Sequence, residues 1–133
     1  MSSSILQGKR VLITQADAFM GPVLCEVFAE QGASVMADTQ SLIDPRTPAA
    51  AVAAVGRIDV LVVNLAVPAP FTAATEVSDT EWRDTFASLV DPLPLGRLVG
   101  AREDAEFAAY LCSDAASCFV GQVFPVCGGW VAR

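Results

Sequence analysis

The stretch that most constrains the fold is IDVLVVNLAV, residues 58–67. Its apolar side chains fall on both alternating faces, so it reads as the strongest strand. Such a strand needs cover on both sides, as in a parallel sheet, and not one wet face. RVLIT (10–14) and SVMAD (34–38) are shorter runs of the same kind. Between them GPVLCEVFAEQGA (21–33) places Val23, Val27 and Phe28 at helical spacing, with Leu24 beside them and Gly32 as a C-terminal stop. DPRTPAAAVAAVG (44–56) has prolines at its start, Gly56 at its end and an alanine-rich helix between. The order strand, helix, strand, helix, strand predicts an α/β fold with a parallel sheet.

Further along, SDTEWRDTFASLV (78–90) opens with a cap at Ser78 or Asp79 and carries Glu81 in its first turn. Trp82, Phe86 and Leu89 follow as a core stripe. DPLPLGR (91–97) is a proline-rich loop, and REDAEFAAYLCSD (102–114) a helix. QVFPV (122–126) is expected as a last strand, with the turn CGGW after it. The 133 residues suit one domain, 1–133.

Bulk chemistry narrows the function. At 53% hydrophobic the chain is not disordered, yet no apolar run reaches the ~18 residues of a membrane span. MSSSILQGKRV lacks the pattern of a signal peptide. A net charge of −7 argues against nucleic acid as a partner. Cys25, Cys112, Cys118 and Cys127 have no C-x-x-C spacing, and there is no histidine, so a zinc site is not expected. Reduced thiols and a cytoplasmic location are the expectation.

Two stretches resemble the short-chain dehydrogenase/reductase family. Residues 8–67 have the strand, turn and helix of a nucleotide fold, Asp38 at the end of the second strand, and IDVLVVN in place of the family's Asp-x-Leu-Val-Asn-Asn segment. PLGRLVGAREDAEFAAYLCSDAASCFVGQVFPVCGGW (94–130) is similar to the family's C-terminal signature: Pro-Leu-Gly-Arg, an acidic helix start, Leu-x-Ser-Asp, Gly-Gln and Val-x-Gly-Gly. The resemblance implies a truncated Rossmann-like three-layer sandwich with a short parallel sheet.

The family's reaction uses a serine, and a tyrosine four residues before a lysine. This chain has one tyrosine, Tyr110, and one lysine, Lys9. Asp114 follows Tyr110 by four, a charge that would raise a phenol's pKa and not lower it. Leu89 stands near the place of the family's catalytic asparagine, and after DPL (91–93) the sequence passes almost directly into the C-terminal signature. No catalytic residue is therefore assigned. Asp38 and Asp59 are 21 residues apart, room for one helix but not for the family's third strand as well.

The family's Thr-Gly-x-x-x-Gly-x-Gly brings backbone amides to a pyrophosphate at a helix N-terminus. Laid on TQADAFMG, the threonine is Thr14 and the last glycine Gly21, while the first two glycines become Gln15 and Phe19. Both side chains occupy space that the turn or a phosphate needs, and Asp17 adds a negative charge. Halohydrin dehalogenases, which resemble the family, also carry large residues in this loop, but they keep the serine and tyrosine. Thr14, Gln15, Phe19, Gly21, Asp38 and Asn64 form the degenerate cofactor set. Asp38 is the ribose acceptor that the resemblance implies, and Gly21 is expected to serve close packing. No cofactor is expected, beyond weak residual NAD binding.

Other candidates are bland. Ser113 and Ser117 have no histidine base; Glu103, Asp104 and Asp114 read as a solvated helix face; Trp82 and Trp130 read as packing residues. Cys112 and Cys118, six apart, are expected to have nothing nearby basic enough to lower a thiol pKa.

Three readings follow: a non-catalytic family-like module, a chain completed by a second subunit of an oxidoreductase or halohydrin-dehalogenase-like enzyme, and a residual nucleotide binder. The expected sheet order, in the family's strand numbers, is 2-1-4-last. Association into a homodimer, or with a full-length relative, is expected through Phe107, Tyr110, Leu111, Val123 and Phe124.

Overall fold

The computed structural model describes residues 4–65, 78–90 and 93–129. Its elements are β1 (Arg10–Ile13), α1 (Gly21–Glu30), β2 (Ser34–Ala37), α2 (Thr47–Val55), β3 (Val60–Val62), α3 (Asp79–Val90) and α4 (Ala101–Leu111). A 3₁₀ turn follows at Asp114–Ala116. The chain divides into two units, Met1–Ala66 with Ala101–Gln122, and Val67–Gly100 with Val123–Arg133.

The first unit is an α/β fold around a short, open, parallel sheet in the order β2-β1-β3. Val11 pairs with Val35 on one side and Val60 on the other; Ile13 pairs with Ala37 and Val62. Strand alternation sends Val11 and Ile13 to one face, where they pack with Leu24, Val27 and Phe28 of α1 and with Ala105 and Ala109 of α4. Phe28 is fully buried, which is worth roughly 2–3 kcal/mol. The two alanines are one helical turn apart, and their short side chains let α4 come close to α1. Arg102 of α4 also reaches Glu30 and Glu26 of α1, and Glu106 of its own helix.

Helix α1 starts with Pro22 in its first turn, where a missing N–H costs nothing. It stops where expected, since Gly32 takes φ +87 and its N–H donates to Ala29 O. Helix α2 is the single helix between β2 and β3, as the 21-residue spacing requires. Its C-terminal end is tied to β1 by Arg10, whose Nη2 donates to Val55 O and Nε to Arg57 O.

Three expectations are corrected. First, β3 is only Val60–Val62, and Leu61, Val63 and Leu65 are about half exposed. The alanine-rich α2 buries only Ala51, so its short side chains give that face little cover. Residues 66 and 67 of the expected strand lie outside the described residues. Second, 122–126 form no strand, and Val123 is 90% exposed. Pro125 has no N–H for a ladder, and Gly121 at φ +67 turns the chain just before it. The 2-1-4 part of the expected order stands, with β3 in the fourth strand's place; the last strand is absent from the sheet. Third, Trp82 is 45% exposed and does not lie in a core. The side chains of Phe86 and Leu89, like Trp130, lie outside the described residues.

In the second unit, α3 runs to Val90 as expected, and Leu93 is buried. Leu95 N–H donates to Gly128 O at 3.1 Å, which joins the two ends of the C-terminal signature. A side chain at Gly129 would meet the Pro94 ring at 2.6 Å.

Candidate functional site

The candidate site is the C-terminal edge of the sheet, where the turn from β1 into α1 meets the ends of β2 and β3. Thr14 is the first residue past β1. Its N–H donates to Val62 O, its hydroxyl donates to Asn64 O, and the same oxygen accepts from Asn64 N–H, both at 3.1 Å. The buried Asn64 then uses its side-chain amide as a clamp. Nδ2 donates to Gln15 O at 2.8 Å and to Ala18 O at 2.9 Å. One side chain just beyond β3 thus holds both ends of the turn.

Within that turn Gln15 has φ +45 and Phe19 φ +51, the non-glycine residues with positive φ among those described. They are the two positions at which the resemblance put glycines. Left-handed backbone is the conformation that glycine adopts without strain and other residues disfavour. The Phe19 ring points away from protein cover and is 79% exposed.

Gly21 is buried at the start of α1. A Cβ there would lie 2.5 Å from Ala16 C and 2.6 Å from both Ala16 O and Gln15 O. Close packing therefore explains this glycine, with the turn's own backbone as the neighbour. Several amides of the turn are already used: Ala16 N–H donates to Asp38 O, Ala18 N–H to Gln15 O, and Gly21 N–H to Ala18 O.

Asp38, one residue beyond β2, is 9% exposed. Its Oδ1 accepts from Gln40 Nε2 at 3.1 Å. Its Oδ2 is buried and has no hydrogen-bond partner among the described residues. Strand alternation puts Asp38 on the sheet face of Met36, the register partner of Leu12. On that face Leu12, Thr14, Leu61 and Val63 line an apolar cavity of about 140 Å³ with Pro48 and Ala51 of α2.

The structure thus gathers Thr14, Gln15, Gly21, Asp38 and Asn64 at one edge, and sends the Phe19 side chain to solvent. Sequence reasoning missed the clamping role of Asn64, the Gln40 partner of Asp38 and the cavity.

The remaining polar candidates lie elsewhere. Lys9 Nζ pairs with Asp114 Oδ1 at 2.6 Å, so the only lysine is engaged by the carboxylate that follows Tyr110 by four. Ser113 Oγ donates to Tyr110 O at 2.6 Å. Glu103 and Asp114 are exposed and Asp104 half-buried, in keeping with a helix surface. The reading of the cysteines needs one correction. Lys9, distant in sequence, does act on Cys112 and favours its thiolate, but burial outweighs it and the thiol is pushed up. Cys25 is raised by burial alone. Among the described residues no three histidine, cysteine or acidic side chains are grouped to hold a metal, and no helix is long and apolar enough to cross a membrane.

No family model matches this chain, and no curated protein matches it.

Proposed function

We propose that this chain is a non-catalytic, short-chain-dehydrogenase-like module, a truncated Rossmann-like sandwich with α1 and α4 as one outer layer and α2 as the other. The observation that carries the reading is the backbone at Gln15 and Phe19. Both hold left-handed φ, which glycine adopts without strain, at the two positions where the resemblance puts glycines. A turn shape that its own side chains disfavour is what remains when glycines are replaced inside an inherited loop. The chemistry did not come with the shape. Lys9 is paired with Asp114, Tyr110 has no lysine four residues on, and no other proton donor of the family's kind is present in the sequence.

The test is turnover. The isolated chain, offered NAD or NADP with a panel of alcohols and ketones, should give no rate above a no-enzyme control. General acid–base assistance alone is worth ~10²–10⁴-fold. Turnover that Tyr110→Phe abolishes would overturn the reading.

A second reading, residual binding of a nucleotide-like ligand, is favoured by one observation, the buried and unpartnered Oδ2 of Asp38. A third, a chain completed by another subunit, draws on exposed apolar surface. Tyr110 is 39%, Phe124 37% and Val123 90% exposed, while Phe107 and Leu111 are half-buried, so none of the five belongs to the buried core. We include in the proposal a homodimer, or a heterodimer with a full-length relative, and a cytoplasmic location, the compartment in which thiols stay reduced. Light scattering at tens of micromolar should give a dimer that Phe124→Asp dissociates without loss of the far-UV spectrum; a monomeric wild type would remove the homodimer.

A further inference from the structure

We propose that the cavity between α2 and the sheet is a binding site for a small apolar molecule, about the size of one six-membered hydrocarbon ring. It lies on the sheet face opposite to the core that α1 and α4 cover, and it does not depend on the β1–α1 turn binding anything.

The sequence of α2 makes the space. Leu12 and Leu61 are register partners on β1 and β3, and Thr14 and Val63 stand two residues further along the same face. Pro48, Ala51 and Val52 fall at i, i+3 and i+4 on α2, the spacing of one helix face, and they roof these strands. A branched aliphatic residue in place of Ala51 would fill the gap, and alanine does not. Leu12, Thr14 and Ala51 are buried, so the inner end is closed. Val52, Leu61 and Val63 are exposed and leave the outer end open, so an occupant can enter without unfolding the chain.

The lining decides between occupants. A buried water needs roughly two to four polar partners, and this surface is apolar. Thr14 carries the only polar side-chain group among the lining residues, and its hydroxyl already donates to Asn64 O and accepts from Asn64 N–H. A charged or hydroxylated ligand would lose its hydration here without return. The volume of about 140 Å³ sets the size. Apolar cavities of roughly 150 Å³ stay dry and bind benzene or xenon. The occupant is therefore a single apolar ring, or a branched aliphatic group of the same bulk, that asks for no hydrogen bond.

The experiment is a methyl-resolved NMR titration of the full chain with benzene, repeated with pyrazine. Pyrazine has nearly the same shape and carries nitrogens at opposite ends of the ring, so no orientation in the cavity keeps both in water. Benzene should give saturable shifts at the methyls of Leu12, Leu42, Leu61 and Val63, and none at Leu24 or Val27 on the opposite face. Pyrazine should bind at least about tenfold more weakly, because its nitrogens lose their hydration. Ala51→Leu fills the space and should weaken benzene at least about tenfold, the factor expected once two or more ring carbons are kept from burial. Should that variant unfold, the shift map and the pyrazine comparison, both made on the wild type, decide alone. The inference is overturned by the absence of saturable shifts, by shifts centred on Leu24 and Val27, by equal binding of pyrazine, or by a folded Ala51→Leu that binds benzene as the wild type does.

Discussion

Gln15, Phe19 and Gly21 carry opposite kinds of constraint. The first two hold positive φ with a side chain attached, and the third has no room for one. Gln15→Gly should therefore be neutral or stabilising by up to about 1 kcal/mol, since relief of strain offsets the larger entropy of the unfolded chain. Gly21→Ala should destabilise by about 2 kcal/mol or more, because the turn backbone must move aside. Urea denaturation of the two variants checks both signs. The cysteines offer a second test. Burial raises the thiols of Cys25 and Cys112, so less thiolate is present at any given pH. Iodoacetamide should alkylate the exposed Cys118 first, with Cys25 and Cys112 slow until the protein is unfolded. Fast labelling of Cys112 in the folded chain would show that Lys9 outweighs burial there. At this scale the sequence marked the three turn positions because the resemblance assigned each one a glycine. It did not mark the Asn64 clamp, since a bond from Nδ2 to a carbonyl 49 residues away has no local pattern.

The joint between α2 and β3 shows how an element is fixed with little apolar burial. Asp59 accepts from Arg10 N–H at 2.9 Å through Oδ2 and from Arg57 Nη2 at 3.0 Å through Oδ1. The Arg10 amide and then Arg57 hold its carboxyl below the usual carboxylate range, with a further pull from Lys9. A folded-state pKa below the unfolded one gives stability that is present above the unfolded pKa and is lost as pH falls through the folded one. Asp59→Asn should remove this part of the acid dependence, seen as a smaller loss of melting temperature between neutral pH and the acid range than in the wild type. An unchanged acid slope would show that other carboxylates dominate. Elements with their own capping and periodicity, such as 21–33, were legible almost to the residue. The element at 122–126 was not. Its β-branched character pointed to a strand, while Pro125 and the turn at Gly121 ruled out a ladder. The 44–56 helix was legible as a helix, but its spacing did not reveal that alanine leaves Leu61 and Val63 half bare.

For the whole molecule, the alternation of apolar runs foretold an α/β fold with a parallel sheet, and it was sufficient because each run is short and bounded by turn residues. The division into two units was not read from the sequence, although the breaks after Ala66 and Gly100 lie close to the proline-containing stretches 67–70 and 91–97. The central claim is that the β1–α1 turn is an inherited nucleotide loop that lost its ligand when side chains replaced glycines at Gln15 and Phe19. Calorimetric titration with NAD of the wild type and of the Gln15→Gly, Phe19→Gly double variant tests it most directly. The account predicts no heat from the wild type at millimolar NAD and measurable saturable binding by the double variant. Micromolar binding by the wild type, or a double variant that folds and stays silent, would contradict it.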